Sequence, residues 1–231
     1  MSGKKIIFVT GTDTGVGKTL LTALLLRHLR ESGVRALAMK PFCSGGRGDV
    51  RLLQSLQRGE LSDEEMNPFY FGAAVAPLVE LKKSKKDILL REVVASIRRV
   101  EKKCEVLLVE GSGGLMVPLG EGYLVEDVIV KLKCAVIVVA RNRLGTINHT
   151  LLTVERLRAR GIKSGEVRVT LMGGPGRDES SASNENFLGK LLGKILVVSV
   201  GDLGGNLKGI ERIKKGSRRE KTVLGRLIWG N

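Results

Sequence analysis

A chain of 231 residues with 42% hydrophobic side chains is long enough to bury one core without disulfides or metal, and too short for two roomy domains. Three widely spaced cysteines, Cys43, Cys104 and Cys134, have no histidine cluster beside them, which argues against a disulfide framework or a zinc site and for buried fillers. The net charge of +15 raises a nucleic-acid binder, yet Arg27, Arg30, Arg98, Arg99, Lys102 and Lys103 are strewn along helical segments and the 3% aromatic content leaves few rings to stack bases.

The first predicted element is a buried strand, Ile6-Ile7-Phe8-Val9. It runs into Gly11-Thr12-Asp13-Thr14-Gly15-Val16-Gly17-Lys18-Thr19 and then a leucine-rich helix. A glycine-rich turn between strand and helix aims backbone N–H groups and a helix N-terminus at one point, which suits a polyphosphate. Lys18 adds a positive charge for the β- and γ-phosphates, and the Thr19 hydroxyl a ligand for the accompanying Mg²⁺. The reading is an ATP site built from Asp13, Thr14, Gly15, Val16, Gly17, Lys18 and Thr19. The usual pattern sets a glycine six places before the lysine; here Thr12 stands there and Gly11 lies one place further back. Partitioning ATPases that share this deviant loop carry a lysine five places before the loop lysine, where this chain has Asp13.

The helix from Lys18 to Ser32 shows Leu21, Leu24, Leu25 and Leu29 on one face, with Gly33 as its stop. Val34 to Met39 reads as a second buried strand ending in Lys40-Pro41. Ligands of open parallel sheets bind at the carboxyl ends of strands, so Lys40, with Ser44 nearby, is a substrate or phosphate contact. Asp49, opening the next helical stretch, has two readings: an N-cap or a Mg²⁺ ligand. Residues 61–86 read as a loop carrying a short strand near Phe69, followed by a solvated cluster, Lys82, Lys83, Lys85 and Lys86. A basic helix spans Asp87 to Lys103.

Val106-Leu107-Leu108-Val109 then ends in Glu110 and three glycines, Gly111, Gly113 and Gly114. A carboxylate at a strand's carboxyl end is placed to meet a nucleotide's metal, so Glu110 is a candidate for Mg²⁺. Leu124 to Leu132 suggests a short helix, with Asp127 turned back to the loops or solvated. Ala135 to Ala140 is a strand, and Gly145-Thr146-Ile147-Asn148 opens a helix whose N-terminus suits a carboxylate. His149 is read as an ordinary helix histidine. Val167–Met172 and Ile195–Val200 complete the strands, separated by a loop at 173–183 and a helix near 184–193. A basic, helical tail is expected over about 207–231.

Six apolar strands separated by helices, with no hairpin turns expected, predict an α/β fold: one P-loop NTPase-like domain over 1–231, with a parallel sheet covered on both faces. Right-handed crossovers bring Thr14, Lys18, Lys40, Asp49, Glu110 and Asn148 to one edge. No apolar run is long enough for a bilayer and the start of the chain shows no cleavable signal, so a cytoplasmic protein without a membrane partner is expected.

In combination, the 11–19 loop, Lys40-Pro41 with Ser44-Gly45, Asn67-Pro68, Glu110-Gly111-Ser112-Gly113-Gly114 and Leu144-Gly145-Thr146-Ile147-Asn148-His149 resemble the dethiobiotin synthetase family, over roughly residues 5–160. The resemblance implies an ATP- and Mg²⁺-dependent ligase that closes the ureido ring of 7,8-diaminopelargonate with CO₂ by way of a carbamate. It implies Lys18, Lys40, Thr14 and Ser44 as catalytic groups and adds Glu110 and Gly113 to the nucleotide contacts. Thr19, Asp49 and Glu110 would hold the metal. Lys40, Ser44, Gly145, Thr146 and Asn148 would hold the substrate, whose carboxylate is bound across a homodimer interface. Some relatives place a glutamate where Gly15 stands, and the family an adenine-recognising asparagine at the end of the strand from Val167, where Val169–Gly174 offers none. Backbone takes that asparagine's place, or base preference is relaxed. The rival reading is a ParA/MinD-like nucleotide switch binding DNA or membrane, favoured by the basic tail and opposed by Asp13, Lys40-Pro41 and Glu110-Gly111.

Overall fold

The computed structural model describes residues 5–173, 179–201 and 218–230. The chain forms β1 (Lys5–Gly11), α1 (Lys18–Glu31), β2 (Ala36–Met39), β3 (Phe42–Ser44), α2 (Gly48–Ser55), α3 (Asp63–Met66), β4 (Phe69–Phe71), α4 (Pro77–Ser84) and α5 (Leu90–Glu101). There follow β5 (Val106–Gly114), β6 (Pro118–Gly120), β7 (Tyr123–Leu124), α6 (Val125–Leu132), β8 (Ala135–Arg141) and α7 (Thr146–Ala159). The described chain closes with β9 (Val167–Met172), α8 (Asn184–Leu192), β10 (Leu196–Val200) and a last helix, Arg218–Trp229.

Six strands pair in parallel in the order β10-β9-β8-β1-β5-β2. Phe8 of β1 lies opposite Val109 of β5 and Val136 of β8, so the most apolar strands occupy the middle. Their runs are buried on both faces, which only helices above and below can achieve; this is the predicted doubly covered α/β sheet. The α1 face named from the leucine spacing is in the core, with Leu21, Leu24, Leu25 and Leu29 all within 1% of full burial. At the β2 edge the buried Gln57 amide stands in for a neighbouring strand. It accepts from Ala38 N at 2.8 Å and donates to Ala38 O at 3.0 Å.

Several sequence expectations need correction. A tight antiparallel hairpin does exist: β6 and β7 pair through Glu121-Gly122, with Gly122 at φ +74°. Asp49 is no N-cap; it sits in the first turn of α2 behind Arg47. Asp127 neither faces the loops nor is merely solvated. It accepts from Leu124 N at 2.8 Å at the start of α6 and from Arg160 Nη2 at 2.6 Å. Nor is the end of the chain only a basic tail. Residues 202–217, with Lys208, Arg212, Lys214 and Lys215, lie outside the described residues, but the last helix buries Leu224, Leu227 and Ile228 and packs on α1 and β10. Part of the 173–183 loop, residues 174–178, also lies outside them. No helix among the described residues is long and apolar enough to cross a membrane. The three cysteines are buried.

Candidate functional site

Each strand of the β2-β5-β1-β8 group delivers one polar group to the same edge of the sheet. From β1 the chain turns through the glycine-rich loop, tethered to β8 by Thr12 N to Val139 O at 2.9 Å. Gly15 and Gly17 adopt φ +70° and +103°, the left-handed region in which a β-carbon is strained, and this curls the loop over the start of α1. Lys18 folds back so that Nζ donates to Asp13 O at 2.8 Å, and Thr14 N donates to Asp13 Oδ1 at 2.6 Å. Gly11 is needed for this packing: a β-carbon there would lie 2.8 Å from Asp13 O and 3.0 Å from Lys18 Nζ.

From β2 comes Lys40, whose backbone is fixed by Lys40 N to Met66 O and by the buried Asn67 amide, which donates to Lys40 O, both at 2.9 Å. From β5 comes Glu110, fully buried. Its Oε1 accepts from Thr19 Oγ1 at 2.6 Å and from Lys40 Nζ at 2.8 Å, while Oε2 is buried with no partner. Lys40 also contacts Asp49, whose carboxylate is half exposed. One acid thus ties the phosphate loop to the end of β2.

These charges set the protonation states. Burial pushes the Lys18 ammonium down to about 8, the Glu110 carboxylate opposing and Lys40 reinforcing the shift. Burial alone would lower Lys40 as well, but Glu110 and Asp49 outweigh it and hold that ammonium above the ordinary lysine range. Burial raises the Cys43 thiol, which argues against a nucleophile there.

A cavity of about 1130 Å³ opens over this cluster. Thr14, Gly15, Gly17, Lys18, Thr19, Lys40, Ser44, Asp49, Glu110 and Gly113 all line it, so four separated segments do converge as expected. Ser44 Oγ is buried there without a partner. Asp13 and Val16 instead support the loop from outside the lining, Val16 packed in the core. Gly145, Thr146 and Asn148 do not line the cavity. They form the exposed start of α7, with Thr146 buried and its hydroxyl unpartnered. His149 is exposed on the same turn.

Arg141 was missed by sequence reasoning. It ends β8 and donates from Nε and Nη2 to Gly15 O at 3.0 and 2.7 Å, clamping the loop from the side opposite Lys40. Its signal was available: a basic residue at the carboxyl end of a buried strand. The asparagine expected at the end of β9 is indeed absent, but Asn142 arrives beside it from β8. Asn142 N donates to Met172 O at 2.9 Å, its side-chain amide donates to Ser181 O at 3.0 Å, and its Oδ1 accepts from Asn184 Nδ2 at 2.9 Å.

A parallel sheet with a phosphate loop leaving its central strand and a buried acid within the adjacent strand defines a P-loop nucleotide-dependent protein. An AAA domain family model matches residues 5–199. Two solved structures share the fold at 12% identity. They are a MinC:MinD cell division protein complex of Aquifex aeolicus (TM-score 0.61, 98% of this chain and 96% of that one) and a ParA family ATPase of Chlorobium tepidum TLS (0.58, the whole of both). Sequence relatives are more specific. The ATP-dependent dethiobiotin synthetase BioD of Bacillus subtilis (strain 168) is 40% identical over 192 residues, covering 80% of this chain and 82% of the relative. That of Methanococcus vannielii is 42% identical over 157 residues, 68% of this chain and 74% of the relative. The chain belongs to the ATP-dependent dethiobiotin synthetase family and is an ATP-dependent ligase of biotin biosynthesis.

Proposed function

We propose that the cavity closes the ureido ring of 7,8-diaminopelargonate with CO₂ and ATP. The observation that carries this reading is the buried carboxylate of Glu110, which joins the Thr19 hydroxyl of the phosphate loop to the Lys40 ammonium at the end of β2, in a cavity that Lys18 also lines. In the reaction one substrate amine adds to CO₂ and loses a proton, giving a carbamate. A carbamate oxygen attacks the γ-phosphorus and ADP departs. The second amine then attacks the carbonyl carbon, and inorganic phosphate leaves as the cyclic urea forms.

Each step gathers negative charge, and the residues at hand are donors. Lys18, released from Asp13 O, serves the β- and γ-phosphate oxygens, and the loop N–H groups from Gly15 to Thr19 serve the rest. Lys40 neutralises the carbamate and the transferring phosphoryl group, and Thr14 and the unpartnered Ser44 hydroxyl donate to the same oxygens. Arg141 keeps the loop in register with β8.

The donor set also fits Mg²⁺. No cluster of three His, Cys, Asp or Glu side chains occurs among the described residues, and the candidates are the Thr19 hydroxyl, Asp49 and Glu110, whose buried Oε2 lacks a partner. Two carboxylates and a hydroxyl suit a hard cation that keeps waters and nucleotide oxygens for its remaining positions. Bound there, it would supply charge neutralisation to the phosphate oxygens.

The start of α7 lies off the cavity, with Leu144 80% and Leu152 63% exposed beside it, which supports a homodimer in which Gly145, Thr146 and Asn148 receive the substrate carboxylate of the other copy. A cytoplasmic setting, where ATP is available, belongs to the same reading. The deciding experiment measures phosphate release with MgATP and bicarbonate, with and without the diamine, alongside mass detection of the product. One phosphate per dethiobiotin is expected; release indifferent to the diamine would overturn the proposal.

A further inference from the structure

A second cavity, of about 430 Å³, opens at the amino ends of β1, β8 and β9, the pole of the sheet away from the nucleotide cavity. Its charged lining is Lys5, Arg98, Lys133 and Arg168 against Glu101 and Glu166. Neither acid pairs with Lys5, Lys133 or Arg168 among the described residues. Glu101 accepts from Arg98 Nη1 at 3.0 and 2.9 Å, and Glu166 Oε2 accepts from Lys163 N at 3.3 Å. Arg98 is further tied to Leu132 O at 2.8 Å.

That leaves three cations. Arg168, the second residue of β9, is only 9% exposed, yet among the described residues its guanidinium makes no hydrogen bond or ion pair. Lys5 donates to Ile228 O, lies 5.2 Å from the centre of the Trp229 ring, and has no acid partner among the described residues. Lys133, at φ +51°, ends α6 at the rim of the same cavity. Buried cations are normally paired, because leaving water without a counter-charge is expensive. Lys5 and Arg168 instead stand close enough to repel, and burial with that repulsion lowers the Lys5 ammonium.

We propose that Arg168 and Lys5, with Lys133 at the rim, form a binding site for a small oxyanion the size of inorganic phosphate, separate from the nucleotide cavity. The planar fork of Arg168 presents paired N–H donors to two oxygens and Lys5 a point charge to a third. Occupancy also braces the last helix. Lys5 holds the carbonyl of Ile228, and Gly230 adjoins Arg168, a β-carbon there lying 3.4 Å from Nη2.

Trp229 is the only tryptophan in the chain, so its emission reports on the neighbouring Lys5. The test titrates sodium phosphate into the full chain against sodium chloride of equal ionic strength, reading Trp229 emission and Tm. Because the phosphate loop also takes phosphate, the titration is repeated on Lys18→Met. Expected are a saturable change in emission and a rise in Tm that persist in Lys18→Met, are lost in Arg168→Met and are weakened in Arg168→Lys. Far-UV circular dichroism checks that both Arg168 variants fold, and ligase turnover in Arg168→Met should stay at the native level. No saturable response in the native chain overturns the proposal. So does an equal response in folded Arg168→Met or Arg168→Lys, or loss of the response in Lys18→Met.

Discussion

Lys40 joins a buried ion pair with Glu110 to its proposed part in the chemistry. The reading that it serves the transferring group predicts that Lys40→Ala loses turnover while calorimetry still detects ATP binding. Its geometry adds a consequence: with the ammonium gone, fully buried Glu110 keeps only the Thr19 hydroxyl and loses its cation. Breaking a buried ion pair from one side costs about 3–5 kcal/mol, so urea unfolding of Lys40→Ala should show a lowered midpoint with an unchanged slope. Lys18 behaves in the opposite sense. Its folded pKa of about 8 lies below the ordinary 10.5, so between those values the unfolded chain binds more protons and stability rises with pH. Near pH 7 the buried ammonium is a net cost. Lys18→Met should therefore abolish turnover yet melt higher than the native chain at pH 7, and the gap should shrink as pH climbs through 8. A variant that melts lower at pH 7 would contradict the assigned environment.

At the scale of elements, the phosphate loop depends on backbone shape as much as on side chains. Gly17 combines φ +103° with Met172 Cγ only 3.1 Å from a would-be β-carbon. Gly17→Ala should cost about 1–2 kcal/mol from the left-handed conformation alone, and lower kcat/KM for ATP by more than tenfold as the N–H groups lose their aim. Calorimetric melting and initial-rate kinetics check the two effects separately. This loop was legible because its glycines and Lys18-Thr19 are contiguous, and α1 because its leucines repeat at helical spacing. The β6–β7 hairpin was missed because strands this short carry almost no alternation; only Gly122 marked the turn. The contact of Asp49 with Lys40 and the cap that Asp127 gives α6 were missed because both acids stand in the first turn of a helix, where capping, dipole and ion-pair roles share one sequence pattern.

For the whole molecule, the last helix decides more than its charge suggests. It buries Leu224, Leu227 and Ile228 against α1 and β10, and each such side chain contributes about 1.5–3 kcal/mol. A chain truncated before Arg218 should melt well below the native one and bind a dye for exposed apolar surface. Unchanged melting would show that the helix adds nothing to the fold. Retention of the native chain on DNA that grows with ATP and falls with salt would restore the nucleotide-switch reading that the basic residues first suggested.

The sequence by itself determined the six strands of the main sheet, their alternation with helices, the phosphate loop with Lys18, and the identity of Lys40 and Glu110 as charges toward the carboxyl side of their strands. These follow from periodicity and contiguity, which are local. Only the tertiary structure decided which charges meet. The contact of Lys40 with Glu110 spans 70 positions, and the clamp of Arg141 on Gly15 spans 126. Whether Asn148 enters the cavity, whether the basic end of the chain is free, and whether Arg168 finds an acid all depend on strand order and helix docking. Those are settled by the sum of many weak packing contacts, and no short stretch of sequence records that sum.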